Sequence, residues 1–328
     1  MSDVVAAIPK ADLHLHAEAG PRLQRLLAEG KGEPAYDWHS WAVRLMRDTP
    51  PGNARLDKIA QIPVIPEEDN DLANFRARIV DVLEEEASSG AIYAEVRFGR
   101  DTILRSDFIS LFREAEAEVQ QRHTGFLAEP LVCLFLPHGP NRYDEHVKAC
   151  LREASRGLAG VDLIPIPYDL EADWSTAYRW TEMLSDAGLG ITAHAAEFTK
   201  ANLESALRAP GINRIGHAVY AATDQRLIDL IVESGVAIEV SLTSNLILGA
   251  VEALEHHPIS RFIEAGIPIS INTDDPVHFQ TSIGREYEIA HRLGLNEDVL
   301  RGVTQTAILH SFTPPSRREQ LLNSIRNA

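Results

Sequence analysis

Four stretches of the 328-residue chain carry histidine or carboxylate side chains in patterns able to hold a divalent cation or move protons. They are His14-Leu15-His16, His194-Ala195-Ala196-Glu197, Arg214-Ile215-Gly216-His217 and Thr273-Asp274-Asp275-Pro276. Each closes or directly follows an apolar run of strand length. Side chains alternate along a strand, so His14 and His16 project to the same side, as two ligands of one ion require. Taken singly, each stretch has a plainer explanation: His194 as a hydrogen-bonded core histidine, His217 bonded to a backbone carbonyl, Asp274 as a helix cap. Taken together, three neutral imidazoles and a carboxylate make a donor set that favours Zn²⁺ over Fe²⁺ or Mn²⁺ and leaves a position for water. Such an ion lowers the pKa of its water to near 7 and so provides hydroxide at neutral pH. Attack of hydroxide on carbon then needs an acid for the atom that gains electrons and a base to orient the water. Glu197 fills the first role if its carboxyl stays protonated in a shielded pocket, and His217 and Asp275 are candidates for the second.

The elements that must position these residues alternate in a regular rhythm. Apolar runs at 11–16, 91–98, 126–136, 161–168, 190–194, 214–217, 236–241 and 267–272 read as strands. Between them, 71–88, 106–121, 142–157, 175–187 and 223–234 read as amphipathic helices, several ending at a glycine such as Gly157, Gly188 or Gly235. Eight strand–helix units in one chain predict an α/β fold of the TIM (β/α)8 barrel type, with a doubly wound sheet as the competitor. In a barrel the catalytic groups gather at the C-terminal strand ends, where all four stretches fall. The connection after the first strand is long, roughly 70 residues. Residues 21–90 are expected to form a helical lid insertion over the barrel mouth, within a single domain spanning 1–328. Trp38 and Trp41, three apart, read as one helix face packed on the barrel rather than a base-stacking platform. His256 and His257 read as a surface pair without a role.

Composition narrows the function. Forty-eight acidic against 31 basic residues give a net charge of −17, with no acidic tail to concentrate it. That field repels phosphate backbones and anionic lipid, so nucleic acid and membrane are excluded as main partners while a small neutral heterocycle is not. Cys133 and Cys150 lie in no metal-ligand spacing and read as buried thiols of a reducing compartment. With no signal-peptide pattern at the N-terminus and no long apolar window, a cytoplasmic protein is expected. Nothing in the sequence specifies a subunit count.

The chain resembles the adenosine/adenine deaminase branch of the metal-dependent amidohydrolases. The resemblance is carried, in order, by KADLHLHAEAG from Lys10, YAEVRFGRD around Glu95, DLEAD at Asp169, AHAAE at His194, RIGHA at His217, SLTSN at Ser241 and SINTDDP at Asp274. It implies that His14, His16, His194 and Asp274 ligate one Zn²⁺ per chain. It implies that Glu197 protonates the ring nitrogen beside the attacked carbon, that His217 orients the hydroxide, and that Asp275 contacts the same water or the departing amine. Two-metal relatives take a bridging carbamylated lysine at the end of the fourth strand; here that stretch is Tyr168-Asp169-Leu170-Glu171-Ala172-Asp173, and one metal is expected.

Around the substrate the resemblance is looser. It implies that His16, Glu18, Ala172 and Asp275 face the substrate, with Glu18 retaining the acid that follows the HxH in the form typical of adenine-type members. Ala172 stands where the family has a glycine whose N–H meets a purine nitrogen, with Glu171 before it, and Ala196 replaces another usual glycine. These changes point to a pocket shaped for a different heterocycle. The expected function is zinc-dependent hydrolytic deamination of adenosine, adenine or a related amino-substituted N-heterocycle. The alternatives are an amidohydrolase acting on another C–N bond, such as a cyclic amide, or an inactive binding protein on the same barrel.

Overall fold

The computed structural model describes residues 3–17, 32, 36–62, 72–136 and 144–326. Eight strands, β1 Lys10–His16, β2 Ala91–Phe98, β3 Leu127–Phe135, β4 Gly160–Ile164, β5 Gly190–Ala195, β6 Ile212–His217, β7 Ala237–Val240 and β8 Ile269–Ile271, pair in parallel in chain order. The cylinder closes between its first and last strands, where Asp274 N–H donates to His14 O at 2.7 Å and His16 N–H to Asp274 O at 2.9 Å. Asp12 pins the same seam by accepting from the Thr273 N–H at 3.1 Å and the Thr273 hydroxyl at 2.5 Å. The protein is a (β/α)8 barrel, and the seam that completes it carries two of the metal-type histidines and Asp274.

The outer helices fall close to their expected positions. Leu72–Ser88, Phe108–Gln120, Asp144–Ala154, Ser175–Asp186 and Gln225–Ser234 each turn an apolar face to the sheet. Gly235 ends the last of these with φ +69°, a left-handed turn that glycine enters without a Cβ penalty. Within the long first connection, Leu72–Ser88 packs beside β2 and Phe108–Gln120 as an ordinary barrel helix. The helix Trp38–Asp48 packs instead on Leu242–Leu248 and Pro276–Phe279, which follow β7 and β8 at the barrel's C-terminal end. It buries Trp38, Ala42 and Leu45. Ala42 and Leu45 join an apolar cluster with Phe198, Ile247 and Phe279.

The largest departure from an expected strand end is in β4. The fourth strand stops at Ile164 and does not run to Tyr168. Pro165 and Pro167 lack the N–H that a ladder requires, so the chain leaves the sheet four residues early. Asp162, inside the strand, thereby becomes its chemically important residue.

The barrel interior is ionic where such barrels are ordinarily filled by branched aliphatics. Glu95, Arg97, Asp162, Thr192, Arg214 and Glu239 are all fully buried. Arg97 pairs with Asp162 at 2.8 Å and Glu239 at 2.6 Å, and Arg214 with Glu95 and Glu239 at 2.5 Å each. Each charge faces an opposite one, the condition under which burying ions is tolerable. No helix among the described residues is long and apolar enough to cross a membrane.

Candidate active site

His14 and His16 reach the site from the end of β1, His194 from β5 and Asp274 from just beyond β8. One potential ligand atom from each of the four lies within 4.8 Å of all the others. His14 Nε2 stands 3.1 Å from His194 Nε2, and Asp274 Oδ1 lies 3.6 Å from His14 Nε2 and 3.4 Å from His16 Nε2.

The other ring nitrogens explain why these atoms converge. His14 Nδ1 meets Glu239 Oε2 at 2.8 Å, and His194 Nδ1 meets the Asp162 carboxylate at 3.1–3.2 Å. A carboxylate accepts only, so each Nδ1 carries the proton and each Nε2 presents a lone pair. Two lone pairs aimed at each other across 3.1 Å repel unless a cation lies between or beside them. Burial and the Arg97 charge hold the His14 imidazole well below its ordinary pKa, and burial with the neighbouring His194 lowers His16 to about 3. Charging the His14 ring with a proton is therefore not an available remedy near neutral pH. The arrangement fits one divalent cation with three nitrogens and one oxygen, a set suited to zinc. Ser244, on the helix Leu242–Leu248, donates its hydroxyl to Asp274 Oδ2 at 2.7 Å and leaves Oδ1 facing the histidines.

Glu197 follows β5 and is buried beside the ligand cluster. Burial, reinforced by the negative charges of Asp274 and Asp275, pushes its carboxyl well above the ordinary range and favours its protonated form. His217, ending β6, is also buried, its ring centroid 4.9 Å from His14 and 5.0 Å from His194. Burial and His194 drive its pKa well down, and it is a neutral imidazole. Asp275 immediately precedes the short helix Pro276–Phe279 and is half-buried.

Three of these strand ends share one backbone feature. Ala196, His217 and Asp274 have φ of +54°, +66° and +68°. Left-handed backbone at a non-glycine residue costs about 1–2 kcal/mol, and such strain gathers where function fixes the chain's direction.

The expected substrate contacts fare differently. His16 is only half-buried, its Nδ1 4.0 Å from Cys133 Sγ, so it fronts the open side of the cluster. Glu18 lies outside the described residues. The Ala172 N–H, expected to meet a substrate nitrogen, instead donates to Asn202 Oδ1 at 2.8 Å, an oxygen that also accepts from Trp174 Nε1 at 3.0 Å. Glu171 is similarly engaged by the Asn202 N–H at 2.6 Å and the Ser205 hydroxyl at 2.5 Å. The early end of β4 sends this loop to the β5 side, where it braces Asn202. Tyr168 is buried, with its ring 5.6 Å from His194 and 6.0 Å from Phe198. Trp38 packs edge-on to Trp41 at 5.3 Å and to His278 at 4.9 Å, as expected of a helix face seated on the barrel.

Sequence reasoning passed over Glu239, Asp162, Ser244 and Asn245. The first two were visible as acids alternating within apolar runs, and the last two as a polar pair in SLTSN. His257, read as a surface residue, is buried, whereas His256 is exposed.

A family profile described as adenosine deaminase matches residues 58–328. An adenine deaminase from Chelativorans sp. (strain BNC1) is 31% identical over 342 residues, covering 97% of this chain and 98% of that protein. The chain belongs to the adenosine deaminase family. An adenosine deaminase from Vibrio parahaemolyticus serotype O3:K6 (strain RIMD 2210633) is 26% identical, covering 98% of each chain. The crystal structure of an adenine deaminase from Arthrobacter aurescens matches this fold with a TM-score of 0.77 at 22% identity, covering 98% of this chain and 99% of the other. As an adenosine-deaminase-like aminohydrolase the chain is a hydrolase acting on C–N bonds of cyclic amidines, and its substrates are adenine-like. The geometry suits that chemistry: one face of the deaminase-family site collects electron-pair donors for a cation, and the adjoining face holds a carboxyl able to give up a proton.

Proposed function

We propose that the chain removes the exocyclic amino group of adenine, or of a close derivative, as ammonia, with one Zn²⁺ held by His14, His16, His194 and Asp274. The observation that carries this reading is the placement of the Glu197 carboxyl, buried beside the four-residue donor cluster, where burial raises its pKa. A metal-assisted hydrolase that needed only a base would gain nothing from a protonated carboxyl there, whereas an amidine must be protonated on its ring nitrogen before its carbon accepts a nucleophile. The ion, when bound, acidifies a water and polarises the site.

The side chains then divide the work. The Glu197 carboxyl gives its proton to the ring nitrogen. Water adds its oxygen to the amino-bearing carbon as one of its protons passes to Asp275, and His217 orients that oxygen. Asp275 returns the proton to the amino group, the C–N bond breaks, ammonia leaves, and the Glu197 carboxylate takes the remaining hydroxyl proton. Acid and base end as they began. Adenine is favoured over its nucleosides because Glu18 is the longer acid and because the 31% identical relative over 97% of the chain is an adenine deaminase. The helix Trp38–Asp48, packed on the segments that follow β7 and β8, acts as a lid over a small-molecule pocket in a single cytoplasmic domain.

The test is ammonia release by the zinc-loaded protein against adenine, adenosine, deoxyadenosine, N6-substituted adenines, guanine, cytosine and aminopterins. Turnover of adenine or an N6-substituted adenine, abolished in Glu197→Gln with zinc retained, is expected. Ring opening of a cyclic amide with no ammonia released from any member of the panel would overturn the proposal.

A further inference from the structure

His257 lies on the segment after the helix Leu242–Leu248 and touches neither the ligand cluster nor its carboxylates, yet it is tied to both catalytic groups through one residue. The Ile259 N–H donates to His257 Nδ1 at 3.2 Å, and His257 Nε2 stands 3.1 Å from Asn245 Oδ1. Asn245 Nδ2 stands 3.1 Å from His217 Nδ1 and 3.4 Å from Glu197 Oε1. All four side chains are buried.

The protons along this chain follow from its first link. A backbone N–H can only donate, so His257 Nδ1 accepts, and a neutral ring then carries its proton on Nε2. Burial keeps that ring neutral, holding its pKa at about 3. His257 Nε2–H therefore donates to Asn245, whose facing atom must be the oxygen; the flipped amide would set two donors against each other. The Asn245 amide nitrogen consequently points its two hydrogens at His217 Nδ1 and Glu197 Oε1. A neutral His217 that accepts at Nδ1 carries its proton on Nε2.

We propose that Asn245 and His257 are positioning residues that fix His217 as the Nε2–H tautomer and reserve Glu197 Oε1 as an acceptor, so that the acidic proton of Glu197 resides on Oε2. The inference rests on the proposed deamination and sharpens it. His217 offers the attacking oxygen a hydrogen bond and is not the base, which leaves Asp275 to receive the water's proton. The second carboxyl oxygen of Glu197, the one not spent on Asn245, faces the ring nitrogen.

The direct test is the imidazole tautomer pattern of His217 in long-range ¹H–¹⁵N spectra of histidine-labelled, zinc-loaded protein, with the resonance assigned by its loss in His217→Gln. The wild type is expected to show protonation at Nε2 alone. Asn245→Asp replaces the donor by an acceptor, and is expected to move the proton to Nδ1 and to lower kcat about 100-fold or more with KM and zinc content little changed. His257→Leu removes the donor that orients the amide and is expected to lower kcat about tenfold, whereas His257→Gln keeps an N–H for Asn245 Oδ1 and is expected to restore most of it. An Nδ1–H ring in the wild type, an unchanged tautomer in Asn245→Asp, or equal losses in the two His257 variants would overturn the relay. Because the tautomer is read without turnover, a protein that deaminates nothing in the substrate panel still decides this point.

Discussion

Glu239 Oε2 lies 2.8 Å from His14 Nδ1 and 2.6 Å from the Arg97 guanidinium, so a single buried carboxylate oxygen both orients a metal-type histidine and neutralises an arginine. Its other oxygen accepts from Arg214 at 2.5 Å and the Thr192 hydroxyl at 3.0 Å. Asp162 does the same for His194 and Arg97 but, among the described residues, pairs with no second arginine. The two arginines hold Glu239 below the usual carboxylate range against the opposing effect of burial, and His194 and Arg97 likewise hold Asp162 far down. Both acids are therefore charged and keep Nδ1–H on their histidines.

Glu239→Gln and Asp162→Asn should each weaken zinc binding about 10- to 100-fold, the usual result of removing a carboxylate behind a ligating histidine. They should differ in stability. Glu239→Gln strips charge from two buried arginines and should cost about 3–5 kcal/mol, the more damaging of the pair. Zinc titration with a competing chelator, beside urea unfolding of the metal-free proteins, measures both effects. Equal stabilities would mean that Arg214 is satisfied by Glu95 alone.

Gly216 sets a second constraint on His14. A Cβ at residue 216 would come within 2.9 Å of His14 Cε1 and 3.3 Å of Nδ1, contacts tighter than side chains tolerate. The glycine of the RIGH stretch is there for lack of a side chain and not for its backbone freedom. Gly216→Ala should displace the His14 ring, lengthen its bond to Glu239 and lower zinc affinity at least as much as Glu239→Gln does. Zinc content after dialysis, read beside far-UV circular dichroism to verify the fold, checks this.

How much of this was legible beforehand depends on whether a local pattern or a distant pairing decided it. The alternation of His14 with His16, and the position of His194, His217 and Asp274 at strand ends, are local, and the barrel brings the four ligand candidates together. The extent of β4 was misread because an apolar run was allowed to outweigh Pro165 and Pro167. The Ala172 N–H turns to Asn202 with it, since the loop's direction follows from where the strand ends. His257 was invisible because its partners, Asn245 and Ile259, meet it only after the chain has folded back from β7. Glu18 and part of the insertion at 21–90 lie outside the described residues.

Lys10 gives a pH-dependent signature at the opposite end of β1. It is fully buried with its ammonium 2.7 Å from Ile8 O, and burial lowers its pKa from 10.5 to about 8. In the unfolded chain it titrates near the ordinary lysine value, about 10.4. Between pH 8 and 10.5 the unfolded state thus binds more protons than the folded one, and stability rises with pH across that window. Lys10→Met should abolish a rise on the order of 2–3 kcal/mol. The measurement is the difference between wild-type and variant unfolding free energies at pH 7.5, 9 and 10.5. A constant difference would show that the folded protein leaves the Lys10 ammonium as well solvated as the unfolded chain does.

Ala196 decides how its departure from the usual glycine should be read. Its φ of +54° places an L-residue in left-handed backbone, between the donor His194 and the acid Glu197. The methyl there carries a strain of about 1–2 kcal/mol. Glycine would relieve that strain but give back about 0.5–1 kcal/mol through the greater freedom of the unfolded chain. If Ala196 matters only to the backbone, Ala196→Gly should leave stability level or raise it by up to about 1 kcal/mol, with the ranking of substrates in ammonia release unchanged. If its methyl touches the heterocycle, the same variant should admit a larger ring and reorder the panel. Its N–H donates to Ala201 O at 3.2 Å and its carbonyl accepts from the Tyr220 N–H, on the segment after β6, at 2.8 Å, so both backbone groups are already held by the protein. The expected outcome is therefore the first, with thermal unfolding and the ammonia panel run on the same two proteins.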